Sequence, residues 1–109
     1  MYRTSVDIRA NYASMVRNLQ AYLPHAHRNN SRPGCWAYLD MLELGVKHGN
    51  GGSLDIGLTP VESRSHFAAW CIVSSPLFLS HDLSATKTND ELWPILSNPE
   101  AIAVNQAWA

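Results

Sequence analysis

The chain reads as an α/β protein built on a parallel sheet, and three observations predict this. Short apolar stretches alternate with helical ones from end to end. Each apolar stretch finishes on acidic residues, Asp7, then Asp40 with Glu43, then Asp82, where parallel βαβ chains carry their functional groups. Two of the helical stretches open on capping boxes, Thr59-Pro60-Val61-Glu62 and Thr88-Asn89-Asp90-Glu91.

Taken in order, Met1 to Asp7 is the end of a strand entered mid-course, without the apolar segment of a signal peptide. Tyr12, Met15, Val16, Leu19, Tyr22 and Leu23 recur at helical spacing and predict a helix over roughly 11–23. Pro24 is expected to stop it, since it lacks an N–H and crowds the preceding turn. The polar stretch from His25 to Gly34, with its Arg-Pro-Gly turn signal, is a loop. Cys35 to Leu44 suits a buried strand, although periodicity alone also allows a helix. Gly45 to Gly57 holds five glycines and reads as a loop.

The first capping box then starts a helix running to about Ser74 and burying Phe67, Trp70 and Cys71. Pro76 ends it, and Leu77-Phe78-Leu79 is a strand of minimal length. The second capping box opens a helix in which Pro94 is tolerated as a first-turn residue. Asn98-Pro99-Glu100 begins a last helix. Both ends of the sequence look like cuts through a longer chain.

A domain of 109 residues buries roughly two-thirds of its unfolded surface. With 46% hydrophobic and 16% charged residues, the chain belongs among folded proteins and not disordered ones. A net charge of −1 gives no electrostatic reason for nucleic acid or an anionic membrane as partner. No apolar run approaches the length of a membrane span; the longest, Phe67 to Leu79, is broken by Ser74, Ser75 and Pro76. Cys35 and Cys71 are too few for a disulfide framework and are expected to be unpaired. Asn29-Asn30-Ser31 fits the N-glycosylation pattern.

Acids at three strand ends suit glycoside hydrolysis, in which one carboxyl protonates the leaving oxygen and a second attacks or activates water. Arg3, four residues before Asp7, is placed to bond sugar hydroxyls and to bias the acid. No metal or cofactor is expected. The five histidines show no zinc spacing, and the glycine-rich stretch has no phosphate-binding motif. Ser80-His81-Asp82 reads as a polar loop, because triad members are neighbours in space and not in sequence. Of the four tryptophans, Trp70, Trp93 and Trp108 are expected in the core, while Trp36 is a candidate for stacking on a sugar.

Several motifs together resemble the melibiase-type α-galactosidases of glycoside hydrolase family 27. They are Tyr2-Arg3-Thr4-Ser5-Val6-Asp7-Ile8, Pro33-Gly34-Cys35-Trp36 with Asp40-Met41-Leu42-Glu43, and Gly57-Leu58-Thr59-Pro60-Val61-Glu62. Arg64-Ser65-His66-Phe67, Trp70, Ser75-Pro76-Leu77, His81-Asp82-Leu83 and Ile102-Ala103-Val104-Asn105-Gln106 continue the series in family order. The resemblance implies a (β/α)8 TIM barrel, of which residues 1–109 would be the C-terminal half, from the end of strand 6 to helix 8. It further implies retaining hydrolysis of terminal α-linked galactose in a galactose-containing saccharide. Asp7 would be the acid/base, Arg3 would hold a sugar hydroxyl, and Asp40 and Met41 would line the sugar pocket. The nucleophile would come from strand 4, which precedes these residues. The parent protein would be secreted, vacuolar or lysosomal.

One departure stands out. Where the family commonly has Trp-Asn-Asp-Pro-Asp-Met-Leu, this chain has Trp36-Ala37-Tyr38-Leu39-Asp40-Met41-Leu42. A polar pair beside the sugar pocket is replaced, and a proline's backbone restriction is lifted. Without the first strands, the chain alone is expected to fold poorly and hydrolyse nothing. The competing readings are a non-catalytic carbohydrate-binding or interaction protein, and a related enzyme acting on another sugar such as α-N-acetylgalactosaminide.

Overall fold

The computed structural model describes residues 1–47 and 56–107. Among them the order is β1 (Tyr2–Arg3), α1 (Tyr12–His27), β2 (Ala37–Tyr38), α2 (Pro60–Ile72), α3 (Thr86–Leu96) and α4 (Pro99–Gln106). Most of the glycine-rich stretch, including His48, lies outside the described residues, as does Trp108.

The strands are shorter than the apolar segments that contain them. β1 and β2 pair in parallel, Tyr2 opposite Ala37 and Arg3 opposite Tyr38. Tyr2 N–H donates to the Trp36 carbonyl at 3.0 Å, and Thr4 N–H to that of Tyr38 at 3.3 Å. The third apolar segment contributes one parallel bridge, Leu42 to Leu79. There Leu42 N–H reaches the Phe78 carbonyl at 2.8 Å.

α1 starts where Asn11 caps it, its side chain accepting from Ser14 N–H at 2.8 Å. It does not stop at Pro24, as the sequence alone suggests, but continues to His27. Proline already holds a helical φ and removes a single donor so near the end. The final turn closes by other bonds, Arg28 N–H to Pro24 and Asn29 N–H to Ala26. The Tyr2 ring packs on that of His25, centroids 5.6 Å apart, and pins this turn to β1.

The capping box of α2 forms as the sequence predicts. Glu62 N–H donates to Thr59 Oγ1 at 3.2 Å and Thr59 N–H to Glu62 Oε1 at 2.8 Å. The helix ends at Ile72, two residues early, as Ser74 turns to φ 55°.

The start of α3 corrects the sequence reading. Thr88 is not its cap; the helix begins at Thr86, and Pro94 falls in its last turn. The chain is fed into the helix by a local turn, in which Ser84 N–H donates to Asp82 Oδ1 and Ala85 N–H to the Asp82 carbonyl. Inside the helix the Asn89 side chain engages His81 Nε2 at 2.7 Å and the Leu83 carbonyl at 2.6 Å. For α4 the expected signal works: Asn98 accepts from Glu100 and Ala101 N–H, with Pro99 at the first helical position.

The core is centred on α2, which packs against α1, α3 and α4. Trp70, Phe67 and Cys71 meet Met15 of α1, Leu39, Leu42 and Leu44 from the sheet side, and Leu92 of α3. Trp93, expected inside, is 65% exposed because α3 turns Leu92 inward instead. Ala37, Tyr38 and Leu39, the residues that depart from the family pattern, are all buried. Tyr38 meets the Phe78 ring edge-on at 5.5 Å. α3 rests directly on Gly45 (φ 78°), where a Cβ would stand 2.7 Å from Leu92 Cδ1 and 2.8 Å from Thr88 Cγ2. Cys35 and Cys71 are both free, the first exposed and the second buried. Among the described residues no helix is long and apolar enough to cross a membrane.

Candidate active site

Parallel pairing places the C-terminal ends of β1 and β2 side by side, with Arg3 opposite Tyr38. Arg3 Nη2 donates to Asp7 Oδ1 at 2.8 Å and to Asp40 Oδ2 at 3.0 Å. One guanidinium therefore joins two carboxylates that are 33 positions apart in sequence. The hydrogen bond to Asp7 comes first, and the charges of both aspartates add to it, so the Arg3 pKa is pushed up despite slight burial.

The two carboxylates differ in surroundings. The Asp7 side chain is 89% exposed, whereas that of Asp40 is 14% exposed. Asp40 Oδ2 also accepts from Ile8 N–H at 2.8 Å, and its Oδ1 from Met41 N–H at 3.0 Å. Asp40 sits at φ 79°, a conformation aspartate tolerates better than most side chains. Its carbonyl is held by Trp70 Nε1 at 2.9 Å, so α2 braces the backbone from behind.

Asn18, on the inner face of α1, is a residue the sequence reading missed. Fully buried, it donates from Nδ2 to the Val6 carbonyl at 3.2 Å and to the Leu39 carbonyl at 3.1 Å. It thus ties together the segments leading into Asp7 and Asp40. The available signal was a polar residue amid the apolar stripe of Met15, Val16, Leu19 and Tyr22. Ser75 Oγ accepts from Leu39 N–H at 3.3 Å from the other side. Arg17 Nη2 lies 3.3 Å from the Asp7 carbonyl oxygen.

Two further braces act beyond Asp40. The fully buried His66 accepts Glu43 N–H on Nε2 at 2.9 Å and meets Trp70 edge-on at 4.2 Å. Burial lowers its pKa to about 4, since an imidazolium would lose its hydration there. Ser80 Oγ donates to the Leu42 carbonyl at 2.6 Å, linking this segment to the third apolar one.

Of the residues singled out from sequence, Arg3, Asp7 and Asp40 come together, and half-buried Met41 follows directly in the chain. Trp36 lies before β2 and borders a cavity of about 200 Å³ with Ser74, Ser75, Pro76, Asn105 and Gln106. Asp82 is separate: its Oδ1 accepts from the N–H and hydroxyl of Ser84, which lower its pKa. A larger depression of about 660 Å³ opens between α1 and α2, with Arg9, Tyr12, Arg17 and Glu62 in its wall but not Asp7. Among the described residues no group of three or more potential ligands is placed to hold a metal ion.

A protein-family model described as "Alpha galactosidase A", of the melibiases, matches residues 1–107. Alpha-galactosidase 2 of Arabidopsis thaliana is 42% identical over 106 residues, covering 96% of this chain and 23% of that protein. The alpha-galactosidase of Cyamopsis tetragonoloba is 37% identical over 105 residues, again 96% of this chain and 22% of the relative. That of Oryza sativa subsp. japonica is 36% identical over 105 residues, with the same two shares. The chain thus spans less than a quarter of the length of these relatives.

Proposed function

This chain belongs to the melibiase family of alpha galactosidases, and on that premise we propose that it is the C-terminal half of a catalytic (β/α)8 barrel that hydrolyses terminal α-linked galactose. The observation that carries the proposal is the bridge from Arg3 to Asp7 and Asp40 across adjacent parallel strand ends. In βαβ architectures these ends face the ligand.

The reaction is a retaining double displacement with two carboxylates. Asp7 is the acid/base. Its exposed carboxyl protonates the departing glycosidic oxygen, and as carboxylate it then deprotonates the incoming water. Arg3 spends its two Nη2 protons on the aspartates and turns its remaining guanidinium N–H groups to a sugar hydroxyl, and Met41 offers an apolar surface to the ring. The nucleophile belongs to the fourth strand of such a barrel, so residues 1–109 by themselves hydrolyse nothing. The parent protein works where such substrates occur, outside the cell or in a vacuole or lysosome.

The test is hydrolysis of an alkyl α-galactoside by the full-length protein, with anomeric configuration followed by NMR. Release of galactose with retained configuration, lost in Asp7→Asn, is the expected result. No hydrolysis of any α-galactoside, or an inverted product, would sink the proposal.

A further inference from the structure

We infer that Asp40 is a positioning residue, whose carboxylate aims Arg3 and anchors the segment carrying Asp7 without itself receiving a sugar hydroxyl. The inference rests on the hydrolase reading for its catalytic consequence, but its structural basis is independent. Three protein donors already converge on the carboxylate: Arg3 Nη2 and Ile8 N–H on Oδ2, and Met41 N–H on Oδ1. A carboxylate offers about four acceptor directions, so little capacity is left. Only 14% of the side chain is exposed, and a left-handed backbone held by Trp70 Nε1 keeps it from turning outward. Asp7 contrasts on each count, being 89% exposed with one hydrogen bond, from Arg3.

The positioning works through two links. Arg3 Nη2 touches both aspartates, so its direction is set by Asp40 and passed on to Asp7. Ile8 N–H, one residue beyond Asp7, is fixed to the same Oδ2 at 2.8 Å. Release of both links leaves the segment from Ser5 to Ile8 held from the α1 side, by Asn18 at the Val6 carbonyl and Arg17 at that of Asp7. A general acid must stay within hydrogen-bond reach of the oxygen it protonates, and a displacement near 1 Å costs on the order of 100-fold.

Asp40→Asn in the full-length protein removes the charge and sets an NH2 group against donors that the carboxylate accepted from, while asparagine also tolerates positive φ. Two substrates separate the roles: an alkyl α-galactoside, whose departure needs the acid, and a dinitrophenyl α-galactoside, whose leaving group does not. For positioning, kcat/KM falls about 100-fold on the alkyl substrate and much less on the aryl one, while exchange of the Ile8 amide quickens. An equal loss on both substrates, carried by KM and with Ile8 exchange unchanged, would mean direct sugar contact and overturn the inference. If the unmutated protein cleaves neither galactoside, the hydrolase reading fails, and Ile8 exchange alone decides: faster exchange in Asp40→Asn supports the anchoring and unchanged exchange overturns it. Should Asp40→Asn not fold, Trp70→Phe removes the bond to the Asp40 carbonyl while keeping an aromatic ring in the core, and is read the same way, with a smaller bias against the alkyl substrate expected and none overturning.

Discussion

Two regions of this molecule begin with the same ingredient, an aspartate just past an apolar segment, and use it differently. At the ends of β1 and β2, Asp7 and Asp40 meet over Arg3, which stands in register beside them. At the end of Leu77–Leu79, Asp82 folds back on its own loop, accepting twice from Ser84 and launching α3. A strand-end acid therefore becomes part of a site when a neighbouring strand brings a cation to it. Without that cation, the same carboxylate satisfies local backbone donors and serves the start of a helix.

The largest effect that separates the regions is catalytic. Asp7→Asn in the full-length protein should lower kcat/KM on an alkyl α-galactoside by about 10²–10⁴-fold, whereas Asp82→Asn should stay within about 2-fold. Comparable losses in both would dissolve the contrast. Next comes stability, read by urea unfolding of the intact protein. Trp70→Ala, behind Asp40, removes a fully buried ring and should cost about 3–5 kcal/mol. Trp93→Ala, on the exposed side of α3, should cost within about 0.5 kcal/mol.

His66 adds a pH dependence on the β2 side alone. Its pKa is about 4 in the folded chain against 6.5 ordinarily. The unfolded state therefore binds the proton first as pH falls, and stability present above 6.5 declines until about pH 4. The loss amounts to about 3 kcal/mol, and His66→Gln should flatten that part of the profile. A slope unchanged by the substitution would assign it to other groups. The smallest effect sits where the two regions touch. Gly45→Ala drives a methyl into Leu92 and Thr88 and should cost about 2 kcal/mol. Gly34→Ala shares a positive φ but meets open space, and should cost about 1 kcal/mol.

Signals contained within a few residues were legible in the sequence. The capping box at Thr59, Asn98 before Pro99, and the Arg3–Asp7 spacing all form as local chemistry suggests. What sequence did not reveal depends on distant partners. Pro24 stays helical with Tyr2 packed on its last turn, and Thr88 lies inside a helix that the turn at Asp82 has already started at Thr86. Asp40's left-handed backbone answers to Trp70, thirty residues on. Trp93 was expected inside because an isolated helix pattern does not say which of two adjacent apolar residues faces the core. Trp36, a candidate for stacking on a sugar, borders a cavity with Pro76 and with Asn105 of α4, residues far along the chain.

Asn18 has a bearing on folding kinetics. Its amide reaches Val6 and Leu39 at once, and these carbonyls share a neighbourhood only after β1 and β2 have paired around the packed helix. Contacts spanning 12 and 21 residues form late along a folding route. Asn18→Leu should therefore hasten unfolding severalfold and leave the refolding rate nearly unchanged, and a chevron with the opposite partition would place this amide in the nucleus. In that sense Asn18 is a latch on the finished structure, and it governs how long the two aspartates stay together once they have met.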